Sequence, residues 1–193
     1  MSRKKYLILL LCISVSCKQD SFSYKYHEQI ELFSCDLKDA KMFKEALYSF
    51  EDDLKNYYTD SDTKENAYEV FVNAVEGGNT VNRVKIVSDH SINVFKELRK
   101  IDNLWIVTDS KNSGFNYNHP IFACIEKNIQ DVELKGTFSV LRKNNSLRPN
   151  LIISRIKDNY TSWADTEDKA LDLYVSLEFY YHHMSHMFIP KRR

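Results

Sequence analysis

The chain has 193 residues, 43% hydrophobic and 28% charged, with 27 Lys and Arg against 27 Asp and Glu. That balance excludes a disordered chain, which needs low hydrophobicity or a large net charge. Four glycines and three prolines exclude collagen-like and Pro- or Gly-rich low-complexity sequences. The length suits one domain, and the one long apolar run sits at the N-terminus, which excludes a polytopic membrane protein.

Residues 1–17 carry three features in order. Arg3, Lys4 and Lys5 are cationic, Tyr6 to Ile13 are apolar, and Ser14, Val15 and Ser16 are small or β-branched residues before Cys17. This is the layout of a secretory signal peptide, and its apolar core is far short of the roughly 20 residues that span a bilayer. With Lys18, Gln19 and Asp20 behind it, Ser16-Cys17 resembles the lipobox of bacterial lipoproteins, and its Ser-Cys-Lys end is similar to signals of the Bacteroidetes type. The resemblance covers only the targeting segment. It implies cleavage after Ser16 and acylation of Cys17 with palmitate-type chains. It also implies anchoring in the cell envelope, with the outer membrane favoured over the inner and the leaflet left open. Cys12 is a poor acceptor because bulky Leu11 precedes it.

Removing residues 1–16 takes away three cations and no acid, leaving 24 basic and 27 acidic residues and a formal charge of −3. Such a chain is a poor nucleic-acid binder, because phosphate contacts need clustered Lys and Arg. The expected partners are the membrane, reached through the lipid, and an envelope protein. Cys35 and Cys124 are the two thiols left over, 89 positions apart. They can form one disulfide in an oxidising compartment or stay as small buried hydrophobes. No C-x-x-C pair is present, so neither a zinc ribbon nor a thioredoxin-like site is indicated.

Residues 17–33 read as the lipidated N-terminus and a tether, residues 34–190 as one globular domain, and residues 191–193 as a basic tail. Ser34 to Tyr58 holds the clearest helical pattern: Leu37, Ala40, Phe43, Leu47, Phe50, Leu54 and Tyr57 form one apolar stripe. Ser34 or Asp36 is the expected cap. Lys38, Lys41, Glu45, Asp52 and Lys55 are expected on a solvated face, and solvation also accounts for the Asp52-Asp53 pair. A second helix is expected from Thr63 to Glu76, stopped by Gly77-Gly78.

Thr80 to Trp105 is compatible with a helix broken near Ser88-Asp89-His90 or with strands at Val84-Lys85-Ile86 and Trp105 to Thr108. Asp109 to Asn118 is a loop by composition. His119-Pro120 should start a helix whose stripe runs from Ile121 through Cys124, Ile125 and Ile129 to Val132. Gly136 weakens its continuation towards Leu141, and Lys143 to Ser146 is a turn. Leu151-Ile152-Ile153 fits helix or strand. Asp165-Thr166 should cap a last helix reaching Phe188. These elements predict a mainly α, bundle-like domain of about six helices, with α+β as the alternative.

The last helix holds His182, His183 and His186, and Glu178, His182 and His186 fall at i, i+4 and i+8. Imidazoles and a carboxylate in one row are candidate metal ligands and would support a metal-dependent envelope enzyme. Glu178 and His186 would stand about 12 Å apart along the axis, so one ion could use only two of the three. The competing expectation is a central helix with Ala170, Leu173, Tyr174, Leu177, Tyr181, Met184 and Phe188 on one stripe and Leu171, Val175 and Phe179 opposite. On that reading the histidines are structural and no cofactor is required.

No Gly-x-Ser-x-Gly or phosphate-loop pattern is present, and nothing orients His119 and Cys124 as base and nucleophile. The sequence therefore points to a lipid-anchored envelope protein whose domain binds a partner or ligand, without a motif for catalysis. Tyr57-Tyr58, Phe115, Tyr117, Tyr160 and Trp163 lie in or near the expected loops. There they either cover a small core or face a partner.

Overall fold

The computed structural model describes residues 22–58, 64–78, 85–107, 113–144, 147, 149–162 and 168–188. The signal segment, Cys17, Trp163, Asp165-Thr166 and the basic tail lie outside the described residues. The fold is mainly α. In chain order the elements are α1 (Ala40–Tyr57), α2 (Lys64–Glu76), α3 (Asp89–Leu98), β1 (Trp105–Val107), β2 (Ser113–Phe115), α4 (Pro120–Asn128), α5 (Val132–Lys143) and α6 (Pro149–Ser162). A last continuous helix follows, made of α7 (Lys169–Val175), a π-helical stretch (Ser176–Tyr181) and α8 (His182–Phe188). No helix among the described residues is long and apolar enough to cross a membrane.

The last helix is the axis of the core. Every residue from Ala170 to Tyr181 is buried. It packs against α1 and α4, with β2 closing over α8. α1 also packs on α2 and α3, α4 on α5, and α6 on both α2 and α5. A helix apolar on all sides must be enclosed, which explains why both stripes read from its sequence are covered. In the π stretch the His182 N–H bonds back to the Leu177 carbonyl, the longer i−5 reach of a π turn.

Several elements differ from the sequence expectation. α1 begins at Ala40 rather than near Ser34, and its N-cap Asp39 makes no side-chain cap hydrogen bond. The stripe from Ile121 to Val132 is two helices. The chain turns at Ile129–Asp131, where the Gln130 N–H donates to Asp168 Oδ2 at 2.7 Å and the Asp131 side chain caps α5. Gly136 does not interrupt α5. Asp168 caps the last helix, accepting from the Ala170 and Leu171 amides.

The two ambiguous stretches also resolve. Ile152, Ile153 and Ile156 are buried on one side of α6, which is a helix. The stretch from Thr80 to Trp105 contains α3 and then β1, and β1 pairs antiparallel with β2 through Trp105↔Phe115 and Ile106↔Gly114. Leu104 and Phe115 are buried, so this short hairpin belongs to the core.

The segment 17–33, whose first part is expected to be a tether, is described only from Phe22. From Phe22 onward it is a strap laid along α1. Glu45 Oε1 accepts from the Lys25 N–H at 2.7 Å and Oε2 from the Tyr26 N–H at 3.0 Å. Lys44 Nζ donates to the His27 and Gln29 carbonyls and to Glu31. Tyr48 donates its hydroxyl to the Ile30 carbonyl at 3.0 Å. Glu45 is therefore only 1% exposed, which corrects the expectation of a wholly solvated charged face. The strap's extended amides need acceptors, and α1 supplies them.

Candidate functional site

The row expected on the last helix does assemble. Glu178 lies in the π stretch and is fully enclosed, and its Oε1 meets His182 Nδ1 at 2.9 Å. Its Oε2 accepts from the Tyr117 hydroxyl at 2.9 Å. The rings of His182 and His186 stand 5.1 Å apart, and His182 also packs on Phe115. Burial, then the negative charge of Glu178, pushes the Tyr117 phenol well above its ordinary value, so it remains a donor. Burial, then the neighbouring His182, lowers the His186 imidazole.

Chemically this is an oriented carboxylate–imidazole pair. Such a pair can fix a tautomer and hold a proton. It brings two adjacent groups together, whereas a metal site needs three or four ligands. His183 follows His182 in sequence and therefore projects about 100° away from the row. His27 lies on the strap, His90 Nε2 is held by Glu45 at 2.7 Å, and His119 caps α4 by accepting from the Ile121 N–H. Among the described residues no group of three His, Cys, Asp or Glu converges on one point.

Cys35 and Cys124 are joined as a disulfide between the strap and α4, with Cα atoms 6.2 Å apart. Cys124 therefore offers no thiol to His119. Asn128 of α4 lies beside the bridge and donates its side-chain amide to the Cys124 carbonyl at 2.9 Å. The aromatic residues expected near loops are drawn inward where they are described. Phe115 stacks on Trp105, Tyr117 packs on Phe122, and Tyr160 donates to Asp172.

A second polar cluster escaped the sequence reading. Asp53, 4% exposed, accepts on Oδ2 from the Ser88 N–H at 3.1 Å, from Ser91 Oγ at 2.6 Å and from the Tyr180 hydroxyl. Ser49 and Ser91 share a further hydrogen bond at 2.6 Å. The neighbouring Tyr181 donates to the Ala46 carbonyl at 3.1 Å. Two consecutive tyrosines thus both reach α1, which the wider π turn favours by narrowing the angle between successive side chains. This corrects the reading of Asp53 as a solvated acid. One signal was present: Ser49 and Asp53 stand i, i+4 beside the buried stripe residues Phe50 and Leu54.

The exposed apolar groups lie elsewhere. Val132, Gly136 and Val140 fall in one i, i+4, i+8 row on α5, with the two valines 80% and 58% exposed. Leu151 is exposed on α6. Comparisons with protein-family models, with curated proteins and with solved structures found no match for this chain.

Proposed function

We propose that this chain is a lipoprotein of the bacterial cell envelope, anchored by acyl chains on Cys17, whose helical domain binds a protein partner or ligand at the envelope. The observation that carries the reading is the run from Arg3 to Cys17: three cations, a short apolar core and a Ser-Cys junction. The Cys35–Cys124 bridge supports it, because such a disulfide persists in the oxidising conditions met by exported proteins. The open valine row on α5 supports a binding role. A helix in a small fold gains by turning its apolar groups inward, and Val132 and Val140 face out. Glu178 and its two partners serve on this reading as an internal brace between the segment that follows β2 and the last helix.

Mass spectrometry of the membrane-fraction protein tests the anchor. The expected mature N-terminus is Cys17 carrying acyl chains, and Cys17→Ala should abolish the modification and release the protein from membranes. An unmodified N-terminus at residue 18 or later would refute the reading.

A further inference from the structure

We infer that the strap and the groove beside it form a bilayer-docking face, with Tyr24 and Ile30 entering the interfacial layer and Lys38 and Lys41 meeting lipid phosphates. The inference rests on the proposed acylation of Cys17 and adds to it an orientation of the whole domain.

The argument starts from reach. Phe22 already packs on the fold, edge-to-face on Tyr24 at 5.0 Å between ring centres and beside His90. Four residues separate it from Cys17, and the five residue-to-residue steps span at most about 18 Å in any conformation. A free segment from Cys17 to Cys35 would instead allow roughly 60 Å. The strap gives up that slack along its length. Glu45 holds the amides of Lys25 and Tyr26, Lys44 and Tyr48 hold the carbonyls of His27, Gln29 and Ile30, and the disulfide closes the far end. An acylated Cys17 therefore keeps this end of the domain at the membrane surface.

The residues found there suit that surface. Ile30 is 79% exposed although its own carbonyl is held by Tyr48. Tyr24, also exposed, lines an open groove of about 250 Å³ with Lys38, Lys41 and Lys100. Tyrosine favours the membrane–water interface, and lysine can lay its stem along apolar groups while its ammonium meets phosphate. Three acids also line the groove. Asp39 is half-buried and Glu97 is paired with Lys100 at 2.6 Å, which leaves Asp102 as the exposed acid against the two exposed lysines Lys38 and Lys41.

The test uses the full lipidated protein in vesicles of phosphatidylethanolamine with a minority of phosphatidylglycerol. The photocrosslinker p-benzoylphenylalanine replaces Ile30 in one preparation and Leu151 in another. Leu151 is also exposed but lies on α6, which packs against α2 and α5. Several-fold more lipid adduct is expected at position 30 than at 151. Equal yields from acylated protein would overturn the docking inference alone, whereas absence of acyl chains on Cys17 in the same digest would overturn the anchoring reading and the inference with it. The unsubstituted protein gives an independent readout. Labelling of Lys38 and Lys41 by a water-soluble acylating reagent should fall several-fold from detergent to vesicles, relative to exposed Lys127 and Lys143. An unchanged ratio would overturn docking.

Discussion

Asp53→Ala should be among the most destabilising single substitutions in this chain. Asp53 joins α1 to the start of α3 and to the last helix through one carboxylate oxygen. Its three donors fare differently once it is gone. Ser88 is half-exposed, so its N–H can turn to water, and Ser91 keeps its contact with Ser49. The Tyr180 hydroxyl is buried and loses its acceptor, and an orphaned buried group of this kind costs about 1–3 kcal/mol. Loss of the charge-assisted bonds from Ser91 and Ser88 brings the total to about 3–5 kcal/mol. With a urea m-value of about 2 kcal/mol/M, the midpoint should fall by roughly 2 M. Equilibrium urea unfolding of the oxidised protein, followed by far-UV circular dichroism, measures this. Tyr180→Phe completes the cycle: alone it should cost about 1–2 kcal/mol, and the double variant should lose less than the sum by about 1 kcal/mol or more. Additivity within about 0.5 kcal/mol, or an Asp53→Ala cost below about 1 kcal/mol, would refute the buried network as a stabilising unit.

Two further substitutions test local physics. Burial lowers the His119 imidazole from its ordinary value, and its Nδ1 accepts the Ile121 N–H, so the folded state holds it neutral. A group whose folded pKa is depressed gives stability that is full above the unfolded value and declines as pH falls through about 6.5 towards the folded value. His119→Asn keeps a side chain that can cap α4 and should flatten that acid-side decline in a urea–pH series. An undiminished slope would assign the decline to other groups. Gly136→Ala should raise stability by about 0.8–1 kcal/mol, because the site is an exposed helix interior where an added Cβ meets nothing within 4 Å. A loss in thermal unfolding would mean that α5 is not helical at this point.

Helix type was legible without coordinates because it is local, and the targeting proposed for this chain rests on equally local features. The cation–apolar–small order before Cys17 is read residue by residue. Phe43, Leu47, Phe50 and Leu54 announce α1 by period alone, as the apolar residues of the last helix announce that element. The i, i+4 spacing also foretold that Glu178 and His182 would meet. What period could not supply was the partner of each polar group. Lys44, Glu45, Ser49 and Asp53 look like the wet side of an amphipathic helix, and nothing local says that a strap and the start of α3 will cover them. Tertiary contacts decided that, because a buried carboxylate is tolerable only where donors from distant segments arrive: Lys25 and Tyr26 at Glu45, and Ser88, Ser91 and Tyr180 at Asp53. They likewise chose helix over strand at Leu151–Ile153, where three consecutive apolar residues serve either structure until α2 and α5 present a surface for one side of a helix. Hydrophobic period is a property of the segment, whereas satisfaction of buried charge is a property of the assembled chain.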